Sequence, residues 1–165
     1  MNLGTIIIGL VCIVICTLPF VLTSRNKKKK EKQLLNALTD FAKQNNSEIT
    51  KHEVNQYFAI GLDESKKTIS FLRKARESNK FLFVDLNSVK KCEINNINKT
   101  LNNNEKIIDK LNLNLSAFNK KEPNITLEFF NADVSFQLAN EYDSLERWNT
   151  IINNILAETR VGKVA

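Results

Sequence analysis

The sequence predicts an α+β protein, mainly antiparallel β, with a transmembrane helix at its N-terminus and an amphipathic helix at its C-terminus. Three observations predict this class. Residues 3–23 form an uncharged apolar stretch, residues 51–138 contain short segments in which apolar and polar side chains alternate, and residues 144–158 carry apolar side chains at helical spacing. With a short linker helix before the strands, these elements form one anchored domain.

Residues 3–23 are long enough to cross a bilayer, because about 20 residues at a rise of about 1.5 Å each span the hydrocarbon core of roughly 30 Å. The segment that follows, residues 24–33, is basic, and basic residues beside a span are retained on the cytoplasmic side. Its cationic side chains are Arg25, Lys27, Lys28, Lys29, Lys30 and Lys32. We therefore expect a single-pass membrane protein whose first partner is the lipid bilayer and whose domain is cytoplasmic.

A cleaved signal peptide is the alternative for this N-terminus. Such a peptide has a basic segment before its apolar core and small residues before the cut, whereas here the charges follow the core. A lipoprotein signal needs a small residue before the modified cysteine, but Val11 precedes Cys12 and Ile15 precedes Cys16. These features favour a retained anchor.

The net charge of +6 is concentrated beside the anchor. Between residues 25 and 32, six basic side chains stand against Glu31 alone, which supplies +5 of that charge. A nucleic-acid-binding domain carries its positive charge on its folded surface. We therefore expect no nucleic-acid partner.

A short amphipathic linker helix is predicted over residues 34–46. Its apolar side chains recur at helical spacing: Leu34, Leu35, Leu38, Phe41 and Ala42. This stripe can pack on the domain or lie among lipid headgroups, and its length of three turns favours packing on the domain.

Seven short strands are predicted after the linker helix. They cover residues 57–62, 68–72, 81–84, 89–97, 111–115, 125–129 and 134–138. The first two form a hairpin around the polar turn 63–66. The last three alternate apolar with polar residues, as half-buried antiparallel strands do.

A C-terminal amphipathic helix is predicted from about Ser144 to Glu158, followed by a tail over residues 159–165. Asp143 and Glu146 have the spacing of a capping box at its start. We expect Trp148, on its apolar stripe, to be buried as a core anchor.

The order of seven antiparallel strands and a closing helix resembles the pleckstrin-homology-like (PH-like) superfold. Residues 58–71 resemble the first hairpin of small bacterial PH-like domains, and residues 83–94 resemble the strand and local step that lead into their fourth strand. The resemblance covers residues 54–156. It implies a PH-like domain over residues 51–158, in which two orthogonal sheets form a half-open barrel capped by the helix.

The resemblance also implies where a ligand would bind. In eukaryotic PH domains, basic residues flanking the first hairpin bind inositol phosphates. The corresponding candidate anionic-lipid rim consists of Lys66, Lys67, Arg73 and Arg76. Asp63 and Glu64 occupy the turn and depart from the basic spacing of the lipid-binding motif, so a solvated rim is the alternative.

The sequence contains no catalytic motif, and we expect no enzyme, no cofactor and no metal site. His52 is the single histidine, and its charged neighbours indicate a solvated strand start. Cys92 is the one cysteine beyond the anchor, which fits a reducing compartment. Two lysines precede it and could lower its pKa, although an ordinary strand cysteine is the simpler expectation.

Two functions fit these features. A tethered, non-enzymatic adaptor would bind a membrane or cytoplasmic protein, for example by strand addition at an exposed sheet edge. A sensor would instead bind anionic lipid or a small ligand through the basic rim. The sequence favours the adaptor.

Overall fold

The computed structural model describes residues 28–75, 78–100, 105–119, 123–135 and 138–161. Helix α1 covers residues 28–44, and the remaining elements are β1 (Lys51–Val54), β2 (Phe58–Asp63), β3 (Thr68–Arg73), β4 (Lys80–Asp85), β5 (Val89–Thr100), β6 (Lys106–Ala117), β7 (Ile125–Asn131) and α2 (Glu141–Val161). A 3-10 turn over Leu86–Ser88 joins β4 to β5. The predicted α+β class, the C-terminal helix and six of the seven predicted strands are confirmed.

The predicted anchor, residues 3–23, lies outside the described residues. Within the described part of the chain, no helix is both long and apolar enough to cross a membrane.

The strands form two antiparallel sheets. The first has the order β1-β2-β3-β4 and the second the order β5-β6-β7. The core lies between the sheets and α2, and at its centre the ring of Phe129 lies 4.7 Å from that of Phe58 and 5.7 Å from that of Phe71. Trp148 is 2% exposed within this core, as predicted.

Helix α1 covers the outer face of the first sheet. Leu34 and Leu38 pack on Ala59 and Leu72, which point away from the main core. All six residues of β2 and all six of β3 are buried, because the core covers one face of these strands and α1 covers the other. The stripe of the predicted linker helix therefore packs on the domain. The helix begins earlier than residue 34, since residues 28–33 of the basic segment are helical as well.

The segment after α1 approaches the sheet closely at Gly61. A Cβ atom at this position would lie 2.7 Å from Cδ1 of Ile49, which is closer than van der Waals contact permits. Glycine is thus the residue that lets residues 47–50 lie flat on β2.

Asp63 fastens the end of α1 to the hairpin between β2 and β3. Its carboxylate accepts hydrogen bonds from the N–H groups of Glu48 (2.8 Å) and Lys66 (3.0 Å) and from the hydroxyls of Ser47 (3.2 Å) and Ser65 (2.6 Å). Burial by itself would raise the pKa of Asp63, but these four bonds outweigh burial and hold the pKa well below its ordinary value. The buried carboxylate is therefore charged, and it stabilises the junction between α1 and the sheet.

One predicted strand was wrong, and one observed strand was not predicted. Val134 lies in a turn closed by bonds from the N–H groups of Val134 and Ser135 to the carbonyl of Asn131 (3.1 and 2.9 Å), and the Asn131 side chain accepts from Asp133 N–H at 3.0 Å. This side-chain bond favours a turn over an extended strand. The unpredicted strand is β1, whose sequence Lys-His-Glu-Val has no apolar alternation.

The start of α2 also differs from the prediction. The N–H of Ser144 donates to the carbonyl of Asn140 at 3.0 Å, so the helix begins at Glu141 rather than Ser144. Asp143 lies inside the first turn and is exposed, so it is not the cap of the predicted capping box. A carboxylate in the first turn still interacts favourably with the helix dipole.

Candidate binding groove between β1 and α2

A groove runs between β1 and α2. It consists of three cavities of about 200, 550 and 250 Å³. The first two share Glu53 and Arg147, and the second and third share Lys51 and Ile151, so the three cavities adjoin one another. The α2 wall is a stripe at helical spacing: Ser144, Arg147, Trp148, Ile151, Ile155 and Glu158.

The opposite wall is the open edge of β1. This strand is at the end of the first sheet, and residues 50–53 line the middle cavity consecutively, as expected where a cavity meets a strand edge rather than one face. The N–H of Asn55 donates to the carbonyl of Phe58 at 2.8 Å. Because bonded and non-bonded pairs alternate in antiparallel strands, the backbone groups of His52 and Val54 point away from β2.

Glu53 bridges the two walls. Its carboxylate accepts hydrogen bonds from Nε1 of Trp148 at 2.8 Å, from Nη2 of Arg147 at 3.2 Å and from the hydroxyl of Ser144. The Glu53 side chain is 24% exposed, and hydrogen bonds to a carboxylate at such a partly buried position are stronger than those between neutral groups. Glu53 therefore sets the distance between β1 and α2.

One end of the groove is lined by three carboxylates among mostly polar neighbours. Glu31, Glu53 and Glu141 line this acidic mouth together with Arg147. Glu141 is buried and accepts from Ala139 N–H at 2.6 Å and from Nδ2 of Asn55 at 3.2 Å.

The other end of the groove carries balanced charges. Lys51 pairs with Glu64 at 2.7 Å, and Nζ of Lys67 donates to Oγ1 of Thr159 at 3.0 Å. The two lysines at this end are thus already bonded within the domain.

The course of α1 shows how the groove is oriented relative to the chain. Glu31, near the beginning of the described helix, lines the acidic mouth, whereas Ser47, just after the helix, bonds to Asp63 at the far end of the first sheet. The acidic mouth is thus the end of the groove nearest to the basic segment. Within that segment Lys28, Lys29, Lys30 and Lys32 are helical and exposed, and Arg25 and Lys27 lie outside the described residues.

The candidate anionic-lipid rim is not brought together by the described residues. Lys66 and Lys67 lie at the turn after β2, whereas Arg73 ends β3, about 20 Å away at about 3.3 Å per strand residue. Lys66 donates to the carbonyl of Asn46. Arg76 lies outside the described residues.

Arg73 is also removed from the surface, being 5% exposed. Its Nε donates to Oε1 of Glu128 on β7 at 3.2 Å, its Nη1 donates to the carbonyl of Tyr57 at 3.3 Å, and the guanidinium lies 5.8 Å from the centre of the Tyr57 ring. Arg73 therefore joins the two sheets and does not present its charge to a headgroup.

Neither His52 nor Cys92 lies in catalytic surroundings. His52 is exposed on the β1 wall of the groove. Cys92 is 4% exposed, and burial, together with the charge of Glu93, raises the pKa of its thiol to about 12. Lys91 pairs with Glu93 at 2.6 Å, so the suggestion that neighbouring lysines lower this pKa was wrong. Among the residues that the structure describes, no cluster of His, Cys, Asp and Glu could hold a metal ion.

One edge strand of the second sheet, β5, has backbone carbonyls that accept hydrogen bonds from α2. On β5, the carbonyl of Cys92 accepts from Nδ2 of Asn153 at 3.1 Å, and the carbonyl of Lys90 accepts from Arg160. These two α2 side chains occupy alternate backbone acceptors along β5. The β5 edge is thus closed at these positions by the same helix that leaves a groove beside β1.

The sequence alone did not identify this groove. Trp148 marked α2 as a core helix, but its indole N–H required a buried acceptor, and a search for that acceptor would have led to an acidic residue on a nearby strand. Glu53 is such a residue. For Glu141, by contrast, the sequence indicated no role beyond a position near the start of a helix.

Comparisons of the chain with protein-family models, with curated proteins and with solved structures found no match.

Proposed function

We propose that this chain is a non-enzymatic binding module, tethered to the cytoplasmic face of a membrane by residues 3–23, and that its domain has PH-like architecture. The observation that carries the proposal is the packing of α1. A helix that follows directly on a hydrophobic anchor and is built into a folded domain holds that domain at the membrane surface in a fixed orientation.

The contacts of α1 support a rigid tether. Leu38 and Ala42 are fully buried, and the ring of Phe41 lies 4.9 Å from that of Phe81 on β4. Only residues 24–27 separate the predicted anchor from the described helix, and four residues extend over at most about 14 Å. The acidic mouth of the groove therefore lies close to the headgroups.

The arrangement of the sheets supports a PH-like architecture. A four-stranded and a three-stranded antiparallel sheet enclose one core, and the helix that follows the last strand buries Leu145, Trp148, Ile152 and Leu156 in that core. The order of the two sheets and the closing helix supports the superfold. Residues 58–71, however, form β2 and β3 rather than a first hairpin, and residues 83–94 lead into β5 rather than into a fourth strand.

The chemistry of the domain supports binding rather than catalysis. The Glu53 and Glu141 carboxylates of the groove are already held by hydrogen bonds within the domain. The buried thiol of Cys92 is a poor nucleophile at neutral pH because its pKa is raised.

Membrane fractionation tests the tether. The full chain should stay in the membrane pellet after alkaline carbonate washing, which releases peripheral proteins, and deletion of residues 3–23 should move it to the supernatant. Release of the full chain would contradict the proposal. Replacing Lys66 and Lys67 by glutamate changes the charge of the domain without touching the anchor, and this variant should stay in the pellet.

Protease accessibility tests the orientation. In intact spheroplasts the region around Trp148 should resist an added protease, and it should be cleaved once the membrane is opened with detergent. Cleavage from outside in intact spheroplasts would overturn the cytoplasmic placement.

A further inference from the structure

We propose that β4 is a dimerisation edge, at which two copies of this chain in one membrane join their first sheets by antiparallel pairing of β4 with β4. This inference rests on the proposed function, because the anchors must hold both copies in the same membrane plane.

The backbone of β4 is oriented for pairing. Strand β4 ends the first sheet, and β3 is the one described strand that pairs with it. The N–H of Leu86 donates to the carbonyl of Lys67 at 2.9 Å, and the register from there to Lys80 has no shift. Since bonded and non-bonded pairs alternate along antiparallel strands, the backbone groups of Phe81 and Phe83 point away from β3.

The side chains of β4 make this edge apolar. Phe81 is 38% exposed, and its ring lies 4.9 Å from that of Phe41 on α1. Phe83 lies on the same face of the strand and is half-buried, whereas Leu82 lies on the opposite face and packs against the core. Charged side chains occur only at the two ends of the strand. An exposed apolar edge of this kind is a template for pairing with another chain.

The other edge strands carry features that oppose pairing. On β1, Glu53 is bonded to α2, and on β5 the carbonyls of Lys90 and Cys92 accept from α2 side chains. Strand β7 has Glu128 at its middle, paired with Arg73, and a register shift interrupts its pairing with β6. Charges and irregular register protect sheet edges. Strand β4 has no central charge and no register shift.

The ends of β4 make the strand complementary to a second copy of itself. Lys80 begins the strand, Asp85 ends it, and both are exposed. Antiparallel pairing about a two-fold axis at Leu82 brings the outward backbone groups of Phe81 opposite those of Phe83 in the other copy. The same register places Lys80 of each copy near Asp85 of the other. One strand thus supplies both halves of the interface, as a symmetric dimer requires.

The position of α1 fits two anchors in one membrane. The two-fold axis of such a strand pair is perpendicular to the sheet, so both copies turn the same sheet face to the same side. Helix α1 covers that face over Ala59 and Leu72 and therefore begins on the same side in both copies. The two helices would lie about four strand spacings, or roughly 19 Å, apart. The rings of Phe41, Phe81 and Phe83 from each copy would lie between them.

Energy transfer between labelled copies tests the proposal. The full chain, labelled with a donor or an acceptor at its C-terminus, is reconstituted in phosphatidylcholine vesicles at increasing protein density. We expect transfer that exceeds the level for random mixing and saturates, because confinement to the membrane raises the effective concentration. Transfer at the random level would overturn the proposal.

Phe81→Glu tests the apolar edge. A carboxylate at this position would be desolvated by pairing, so half-saturation should need at least about a tenfold higher protein density. Tyr142→Glu is the matched control, since Tyr142 is also 38% exposed but lies on α2. This variant should behave as the wild type does. Equal effects of the two substitutions would contradict pairing through β4.

Charge substitutions test the antiparallel register. Lys80→Glu places a carboxylate near Asp85 of the other copy at both ends of the pairing, and Lys99→Glu makes the same change on β5. Both lysines are exposed. At low salt Lys80→Glu should raise the density for half-saturation about three- to fivefold, and Lys99→Glu less than about twofold. An equal or reversed order would refute this register.

Cysteine cross-linking locates the two-fold axis. In a chain whose Cys12 and Cys16 are replaced by alanine, Leu82→Cys puts two thiols in directly opposed, non-bonded positions. The Cα atoms of such a pair are about 4.5 Å apart, which a disulfide can bridge. Mild oxidation in membranes should link Leu82→Cys into dimers, and His52→Cys on β1 should stay monomeric. Linkage through His52→Cys, or in neither variant, would overturn the proposal.

Two competing explanations give different results. A dimer held by the anchors alone would not respond to Phe81→Glu. An edge that serves a different protein would leave purified copies at the random level of transfer. Either result would count against the β4 dimer. Failure of the tether is a separate outcome, because it appears as release by carbonate, whereas transfer is measured on chains that sediment with the vesicles.

Discussion

The carboxylate of Glu53 on β1 accepts a hydrogen bond from the indole Nε1 of Trp148 on α2 at 2.8 Å. This bond satisfies the one polar atom of a side chain that is otherwise buried in the core. It also ties an edge strand to a helix that packs mainly on the other sheet. The width of the groove therefore depends on a single carboxylate.

Replacing Glu53 by glutamine should lower the free energy of unfolding by about 1–3 kcal/mol, because bonds from Ser144, Arg147 and Trp148 lose a charged acceptor. Urea unfolding of the full chain in detergent, followed by fluorescence of its single tryptophan, measures this change. Glu64→Gln is the control, since Glu64 pairs with Lys51 at the surface and its loss should change little. Equal effects of the two substitutions would contradict the bridging role of Glu53.

Leu38→Ala should destabilise the domain by about 2–5 kcal/mol, because Leu38 is fully buried between α1 and the first sheet. Leu35→Ala on the same helix should cost less, since Leu35 is only half-buried. Amide hydrogen exchange should show faster exchange in α1 for Leu38→Ala, while β5 to β7 stay protected. Unchanged exchange in α1 would mean that the helix does not depend on this packing.

The stability of the domain should fall in acid because of Asp63. Its folded-state pKa lies below its unfolded value of about 3.9. The stabilisation is therefore complete above that value and is lost as the pH falls below it. Asp63→Asn should be less stable than the wild type near pH 7, and the difference should shrink toward about pH 3. Parallel curves of unfolding free energy against pH would contradict this role.

Cys92 should react slowly with iodoacetamide near pH 8. Burial raises the pKa of its thiol to about 12, so very little thiolate is present in the folded state. Urea should accelerate the reaction strongly by exposing the thiol. Peptide mapping by mass spectrometry separates Cys92 from Cys12 and Cys16. Rapid modification of Cys92 in the folded protein would show that the thiol is accessible.

The elements with a clear apolar period could be predicted from the sequence, and β1, which has none, could not. Trp148 and its stripe located α2, and the alternation around Leu113 located β6, because burial on one face selects the side-chain period. Strand β1 forms for a different reason. Its formation depends on pairing with β2 and on Glu53 reaching α2, and neither interaction leaves an apolar pattern in residues 51–54.

Residues of the candidate binding surfaces also depend on contacts that leave no pattern in the sequence. The basic residues near the predicted first hairpin suggested an anionic-lipid rim. The charge of Arg73, however, is paired with Glu128, which lies 55 positions later in the chain. Long-range partners of this kind are invisible in a single sequence. The groove was missed for a related reason, since it is formed by two elements that are almost 90 residues apart.

The bonds from Asn153 and Arg160 to β5 have a consequence for solubility. An uncovered edge strand is a template for uncontrolled sheet extension between molecules, and proteins confined to a membrane plane meet one another often. By covering the β5 acceptors with its own side chains, α2 reduces the number of places where two such domains could join into an aggregate.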